Sequence, residues 1–252
     1  MNESTLATGP TGPQIAPRKG AAFQGVARLM WAQQFTLRAM VPLVLGVGGL
    51  AALAWMTDRD ELVNWIERFM LMTFIPIVAF EAGAKAVRED LKPGAVDYVI
   101  TRPLPRWLYV VFKYVAQLAM TLTKATLGFF VIVALVKSLG VEVDSIGLWW
   151  GGLASGVAAF IALGFMMGAL TSRYLIQGLF YAGLIEGALG NIPIQLNKLS
   201  ILRHLRELLG INGEAAVASS LGFLILIAAV LVSVAAGLFS MKEFIGEKGG
   251  DS

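Results

Sequence analysis

Apolar residues run along this chain in long blocks separated by short charged stretches, and the blocks approach the length of membrane crossings. A helix needs about 20 mostly apolar residues to cross the hydrocarbon layer. Six blocks qualify or come close: Met40 to Met56, Phe69 to Ala84, Tyr114 to Val136, Ile146 to Leu170, Leu175 to Leu189 and Ala215 to Phe239. Asp58, Arg59, Asp60 and Glu61 end the first. Pro76 and Glu81 lie inside the second, so it is expected to kink and to fray at its charged end. The fourth carries Gly152, Gly156, Gly164 and Gly168, two small-xxx-small pairs that permit close helix contacts within or between subunits. Residues 188–214 alternate in character, then read as an amphipathic helix near Leu199 to Leu209, then break at Asn212-Gly213; they suit a re-entrant or surface piece rather than a crossing. Ahead of the first block, Phe23, Val26, Ala27, Met30, Trp31 and Phe35 fall at helical spacing over 21–38, with Gln24, Arg28, Gln34 and Arg38 between them. That pattern fits an amphipathic helix lying in the interface, with Trp31 at headgroup depth. Residues 1–20, rich in Gly, Pro and Thr, read as a disordered tail without signal-peptide character, and 243–252 as a second tail. The expected fold is an all-α polytopic membrane protein: one interfacial helix, then six spans within 39–242.

Composition agrees. Hydrophobic residues make up 57% of the 252, and charged residues 15%, against about 25% in soluble domains; mean hydropathy is +0.71. The net charge of +3 is too dispersed over short inter-helix segments to form a nucleic-acid footprint. Cysteine is absent, which excludes disulfides and cysteine-ligated metals. Orientation follows the cations. With both termini inside, 13 Lys and Arg fall on the cytoplasmic side and 6 outside, and Lys124 lies within a span. Both termini are therefore expected to be cytoplasmic, in a cell membrane of the bacterial inner-membrane type.

The longest break between blocks, Phe80 to Lys113, holds the densest charge. Lys85, Arg88, Lys92, Arg102, Arg106 and Lys113 are interrupted by Glu89, Asp90 and Asp97. Apolar positions recur at helical spacing until Pro93-Gly94, and Pro103 and Pro105 stop regular structure before Trp107. A basic, proline-braced segment between two spans is a surface for another protein to read.

Its order of residues resembles that of the permease subunits of ABC-2-type transporters. In that family the segment after the second span carries an acid, a Gly-Thr-Leu-Glu-like run, a Thr-Arg-Pro turn with a following Arg, and a Lys entering the third helix. Here these read Glu89-Asp90, Gly94-Ala95-Val96-Asp97, Thr101-Arg102-Pro103-Leu104-Pro105-Arg106 and Lys113, with Ala95 in place of the Thr. The resemblance implies a permease forming the substrate path of an ATP-driven transporter, with export the expected direction. It implies two copies of a cytoplasmic ABC ATP-binding subunit and a second permease copy or paralogue, in contact with membrane lipid and compatible with an accessory subunit. Segment 84–112 would be the coupling loop, with Glu89, Asp90, Gly94, Arg102, Pro103 and Arg106 at the ATPase. The segment 188–214 resembles the family's small exterior half-helices. The chain has no Gly-x-x-x-x-Gly-Lys-Ser/Thr loop, so ATP and Mg would sit on the partner, and this chain would bind no cofactor.

Three ionisable residues stand within apolar blocks. An ammonium at Lys124 is costly in hydrocarbon unless it faces protein, water or an acid, and Glu186 is a candidate partner if folding matches their depths; snorkelling of either to the headgroups is the alternative. Glu81 is placed to reach Lys85 at i,i+4. His204, in a charged stretch, reads as a surface histidine. No nucleophile–base pair suggests catalysis. A non-transporting membrane scaffold and an ion-coupled secondary transporter are the alternatives.

Overall fold

The computed structural model describes residues 24, 28, 31, 37–56, 59–92, 105–141, 146–188, 195–211 and 216–241. Gln24, Arg28 and Trp31 are helical and exposed; the rest of the expected interfacial helix before Leu37, and both tails, lie outside the described residues. Every regular element among the described residues is helical.

Helix α1 is Leu37–Met56. Helix α2, Arg59–Trp65, continues through a π-helical stretch, Ile66–Phe74, into α3, Ile75–Asp90. The wide turns end at Phe74, just ahead of Pro76 in the first turn of α3. A proline has no N–H for the preceding turn and its ring clashes with the carbonyl four residues back. The chain meets this by changing helical register ahead of the proline rather than by breaking. Helix α4 is Arg106–Ser138, α5 is Ile146–Leu170, and α6 is Tyr174–Tyr181, extended by π-helical Ala182–Ala188. A 3-10 turn, Gln195–Leu199, leads to α7, Ile201–Leu209, and α8 is Val217–Met241.

Four helices among the described residues are long and apolar enough to cross a membrane: Phe69–Asp90, Arg106–Ser138, Ile146–Leu170 and Val217–Met241. These carry the second, third, fourth and sixth expected spans, and the fourth matches its expected limits. The other two expected spans are helical, α1 with 20 residues and Tyr174–Ala188 with less, but neither is among those four. Helices α3 and α4 also reach further into segment 84–112 than hydropathy marks. Amphipathic turns continue α3 to Asp90, and Pro105 serves as N-cap for α4.

Helix α5 is the centre of the bundle, packed on α3, α4, α7 and α8. Its glycines decide how closely. A Cβ on Gly164 would strike the carbonyl oxygen of Phe80, and one on Gly168 would lie 2.6 Å from that of Ala84. Gly83 faces the Ile161 backbone in the same way. Helices α3 and α5 therefore touch backbone to backbone, where glycine alone fits. Both glycine pairs of the fourth span serve contacts within the chain: Gly152 and Gly156 receive the side chains of Leu209 and Leu205 from α7. Around α5, Phe129, Phe165 and Phe239 fill the interior, and Tyr114 packs edge-on against Phe165 while its hydroxyl donates to the Ala158 carbonyl at 3.1 Å. The outer faces of α4 and α8 expose Leu127, Phe130, Val131, Ile225, Leu226 and Val230. Large apolar side chains on the outside suit a lipid surround.

Along α5, Gly168 lies 12 residues beyond Gly156, about 18 Å at 1.5 Å per residue. Helix α3 meets Gly168 through Ala84, ahead of its C-terminal end at Asp90, and α7 sits at the Gly152/Gly156 end. The C-terminal end of α3 and the amphipathic helix α7 occupy opposite ends of the bundle.

Candidate functional site

At the loop end, Asp90 closes α3 and Lys113 sits two turns into α4. Lys113 Nζ lies 2.5 Å from Asp90 Oδ2, with the two side chains only 8% and 15% exposed. The Tyr109 hydroxyl donates to the same oxygen at 3.0 Å, and the Tyr109 ring packs near Phe239 of α8, centroids 6.3 Å apart. This clamp fixes the ends of both helices that flank the loop. Asp90, expected on the ATPase-facing surface, is instead turned inward onto Lys113 and Tyr109. A carboxylate this buried is stable only when paired, and the pair is supplied by its own chain. Glu89, beside it, is exposed, and Arg106 is half-buried at the start of α4. Gly94, Arg102 and Pro103 lie outside the described residues. Glu81 meets Lys85 one turn along, as their spacing suggests.

Glu186 and Lys124 occupy different settings. Lys124 is half-buried on α4, on the face that carries Gln117 and Thr121, which are buried and joined by a 3.1 Å hydrogen bond. Glu186, 4% exposed, receives donors from another quarter. Its Oε1 accepts from the Tyr181 hydroxyl at 3.0 Å and the Ile201 N–H at 3.0 Å. Its Oε2 accepts from Ser200 Oγ at 2.5 Å and the Leu202 N–H at 3.1 Å. A carboxylate has about four lone-pair positions, and all are filled. Placed at the N-terminus of α7, the anion also meets the positive end of the helix. In place of the candidate pairing with Lys124, Glu186 takes a helix-capping role.

Helix α7 explains why this arrangement forms. Ser200 is its N-cap and accepts from the Arg203 N–H, leaving the Ile201 and Leu202 N–H groups for Glu186. Gly210, with φ 71°, ends it in the left-handed conformation that favours glycine, and Ile211 N–H closes back on the Arg206 carbonyl. Ile201, His204, Leu205 and Leu208 form its buried face. His204 is therefore an interior residue, contrary to the expected surface position: it is 3% exposed, stacks on Phe223 of α8 at 4.9 Å, and donates from Nε2 to the Lys198 carbonyl at 2.9 Å. Its charged neighbours made it look exposed, but Arg203 turns aside to pair with Glu207 at 2.7 Å.

Between α3, α5, Tyr174–Ala188 and α7 lies a cavity of about 480 Å³, within the range of roughly 300–1,000 Å³ usual for small-molecule sites. Its lining is mainly apolar, including Pro76, Ile77, Phe80, Phe160 and Leu163, with Tyr181, Glu186 and Arg206 contributing polar groups. Glu186 belongs both to the cavity wall and to the cap of α7. Sequence reading found this residue as a costly intramembrane charge but not its partners. The N-cap serine followed by an amphipathic run was the available signal.

Tightly packed crossing helices, an ion-pair clamp at one end and a capped amphipathic helix at the other define a polytopic α-helical membrane protein. Residues 17–186 match the family described as ABC-2 family transporter protein. As this covers most of the chain, the protein belongs to that family and is a membrane permease of the ABC-2 type. No curated protein and no solved structure matches it.

Proposed function

We propose that this permease provides half of a translocation path driven by a separate ABC ATPase, and that segment 91–105 is the element the ATPase moves. The observation that carries this is the Asp90–Lys113–Tyr109 clamp. It joins α3 to α4 immediately beside the segment, so a force applied there passes into two crossing helices rather than into slack chain. In this reading six spans place both termini in the cytoplasm, two ATPase copies serve two permease copies or a permease and a paralogue, and transport is outward. Glu89, Gly94, Arg102, Pro103 and Arg106 form the docking surface, while Asp90 positions it from within. ATP and Mg belong to the ATPase.

The test is binding between the purified full chain and its candidate ATPases, with charge reversed at Glu89 or at Arg102 and Arg106. Lost complementarity at an interface weakens binding and adds repulsion. Both reversals are expected to reduce ATPase binding and substrate-stimulated hydrolysis while leaving membrane insertion intact. Reversed chains that insert, bind every ATPase as the parent does and couple normally would refute the docking role.

A further inference from the structure

We propose that Glu186 is a positioning residue that latches the Tyr174–Ala188 wall of the cavity to α7, so that releasing this one carboxylate widens the cavity at its α7 end. The inference rests on the permease reading for its purpose, but not for its geometry.

Helix α7 has its own anchors on the bundle. Leu205 and Leu209 enter the gaps left by Gly156 and Gly152 of α5, His204 lies on Phe223 of α8, and the Glu207 carbonyl accepts from the Ala216 N–H at 3.1 Å. The facing wall is held differently. Helix α6 has no buried residue, and Leu175, Ile176, Leu179 and Phe180 are all exposed. Its inner face packs through Gly178 under the Phe80 ring and through half-buried Tyr174 and Tyr181, and Glu186 joins its last turn to α7 through Ser200, Ile201 and Leu202. The carboxylate sits in π-helical Ala182–Ala188, a turn geometry that accommodates local changes of register and is frequent at functional sites.

The chemistry of the latch is specific. Two of its four donors are backbone N–H groups, which cannot reverse to accept. An amide keeps one oxygen for one of these N–H groups but directs its NH₂ at the other, so that contact cannot be rebuilt. With the latch released, the wall separates from Leu202 and Arg206 of α7, both of which line the cavity, while α7 stays seated on α5 and α8.

The chain has no cysteine, so a single reporter can be read without background. Met72→Cys places a thiol in the cavity lining at a position 9% exposed, and Ser138→Cys gives an exposed control. The full chain, in lipid nanodiscs without ATPase, is labelled with a water-soluble maleimide reaching both faces. Glu186→Gln is expected to raise the Met72→Cys rate at least about tenfold, the scale set by losing one hydrogen bond to a charged group. The Ser138→Cys rate should not move, and Glu186→Asp should recover part of the protection. If Glu186→Gln fails to fold, Ser200→Ala and Tyr181→Phe, which each remove one donor, should raise the rate less but in the same direction. Parent-like rates in the folded variants would overturn the latch. Because no transport is measured, absent ATP-driven flux with every ATPase would sink the permease cycle and leave this result standing.

Discussion

Replacing Lys113 with methionine removes the ammonium that neutralises Asp90 and leaves the carboxylate with Tyr109 alone. Removing one member of a buried pair costs about 3–5 kcal/mol, because the remaining charge stays desolvated. Asp90 keeps 15% exposure, so some hydration persists and the low end applies; about 3 kcal/mol is expected for Lys113→Met. Tyr109→Phe deletes a single hydrogen bond to a charged group and should cost about 1.5 kcal/mol. The decisive variant is the double substitution Asp90→Leu with Lys113→Met. It removes both charges, and apolar replacement of a whole buried pair is often near neutral. Its cost should therefore fall well below the sum of the two single costs, with a coupling of at least about 1.5 kcal/mol. Equilibrium unfolding of the four proteins in mixed micelles measures this cycle. Costs that add to within about 0.5 kcal/mol, the usual scatter for independent sites, would show that the clamp is not an interaction unit, and the mechanical role given to it would fail as well.

At the α3–α5 contact, Gly164→Ala puts a methyl group against the Phe80 carbonyl and should destabilise by about 1–3 kcal/mol. Gly151→Ala, with open space around its Cβ, should be neutral or stabilising by up to about 1 kcal/mol from helix propensity; equal effects in thermal unfolding would contradict the close approach. Lys124→Leu is expected to alter transport or assembly, since a half-buried cation on a polar helix face needs a polar environment. Unchanged flux together with unchanged thermal stability in that variant would remove any functional role for the charge.

Hydropathy and spacing, read along the chain, located the four long apolar helices. The Ile146–Leu170 limits are visible as an uninterrupted apolar run between charged or polar breaks. The Glu81–Lys85 contact was likewise visible, because helical spacing places both residues on one face. Membrane burial acts on each segment separately: every residue meets the same hydrocarbon, so the local run is enough. The pairings of charge were not visible in this way. Asp90 meets Lys113 across the charged loop, and Glu186 meets the N-terminus of a helix 15 residues on. For Asp90 nothing in the sequence marks Lys113 as its partner, for Glu186 the N-cap serine was the one signal, and an exposed and a buried acid read alike. Glycines showed that helices could approach, but only the packed bundle gave Gly164 to α3 and Gly152 to α7. His204 turned inward for a related reason: the 3.6-residue period of α7 places it on one face with Ile201, Leu205 and Leu208, whatever the charge of its neighbours. The chain alone determines which segments must leave water. Which of their polar groups then face one another depends on how the helices pack, because a buried charge is held by partners that only the assembled bundle brings within hydrogen-bond distance.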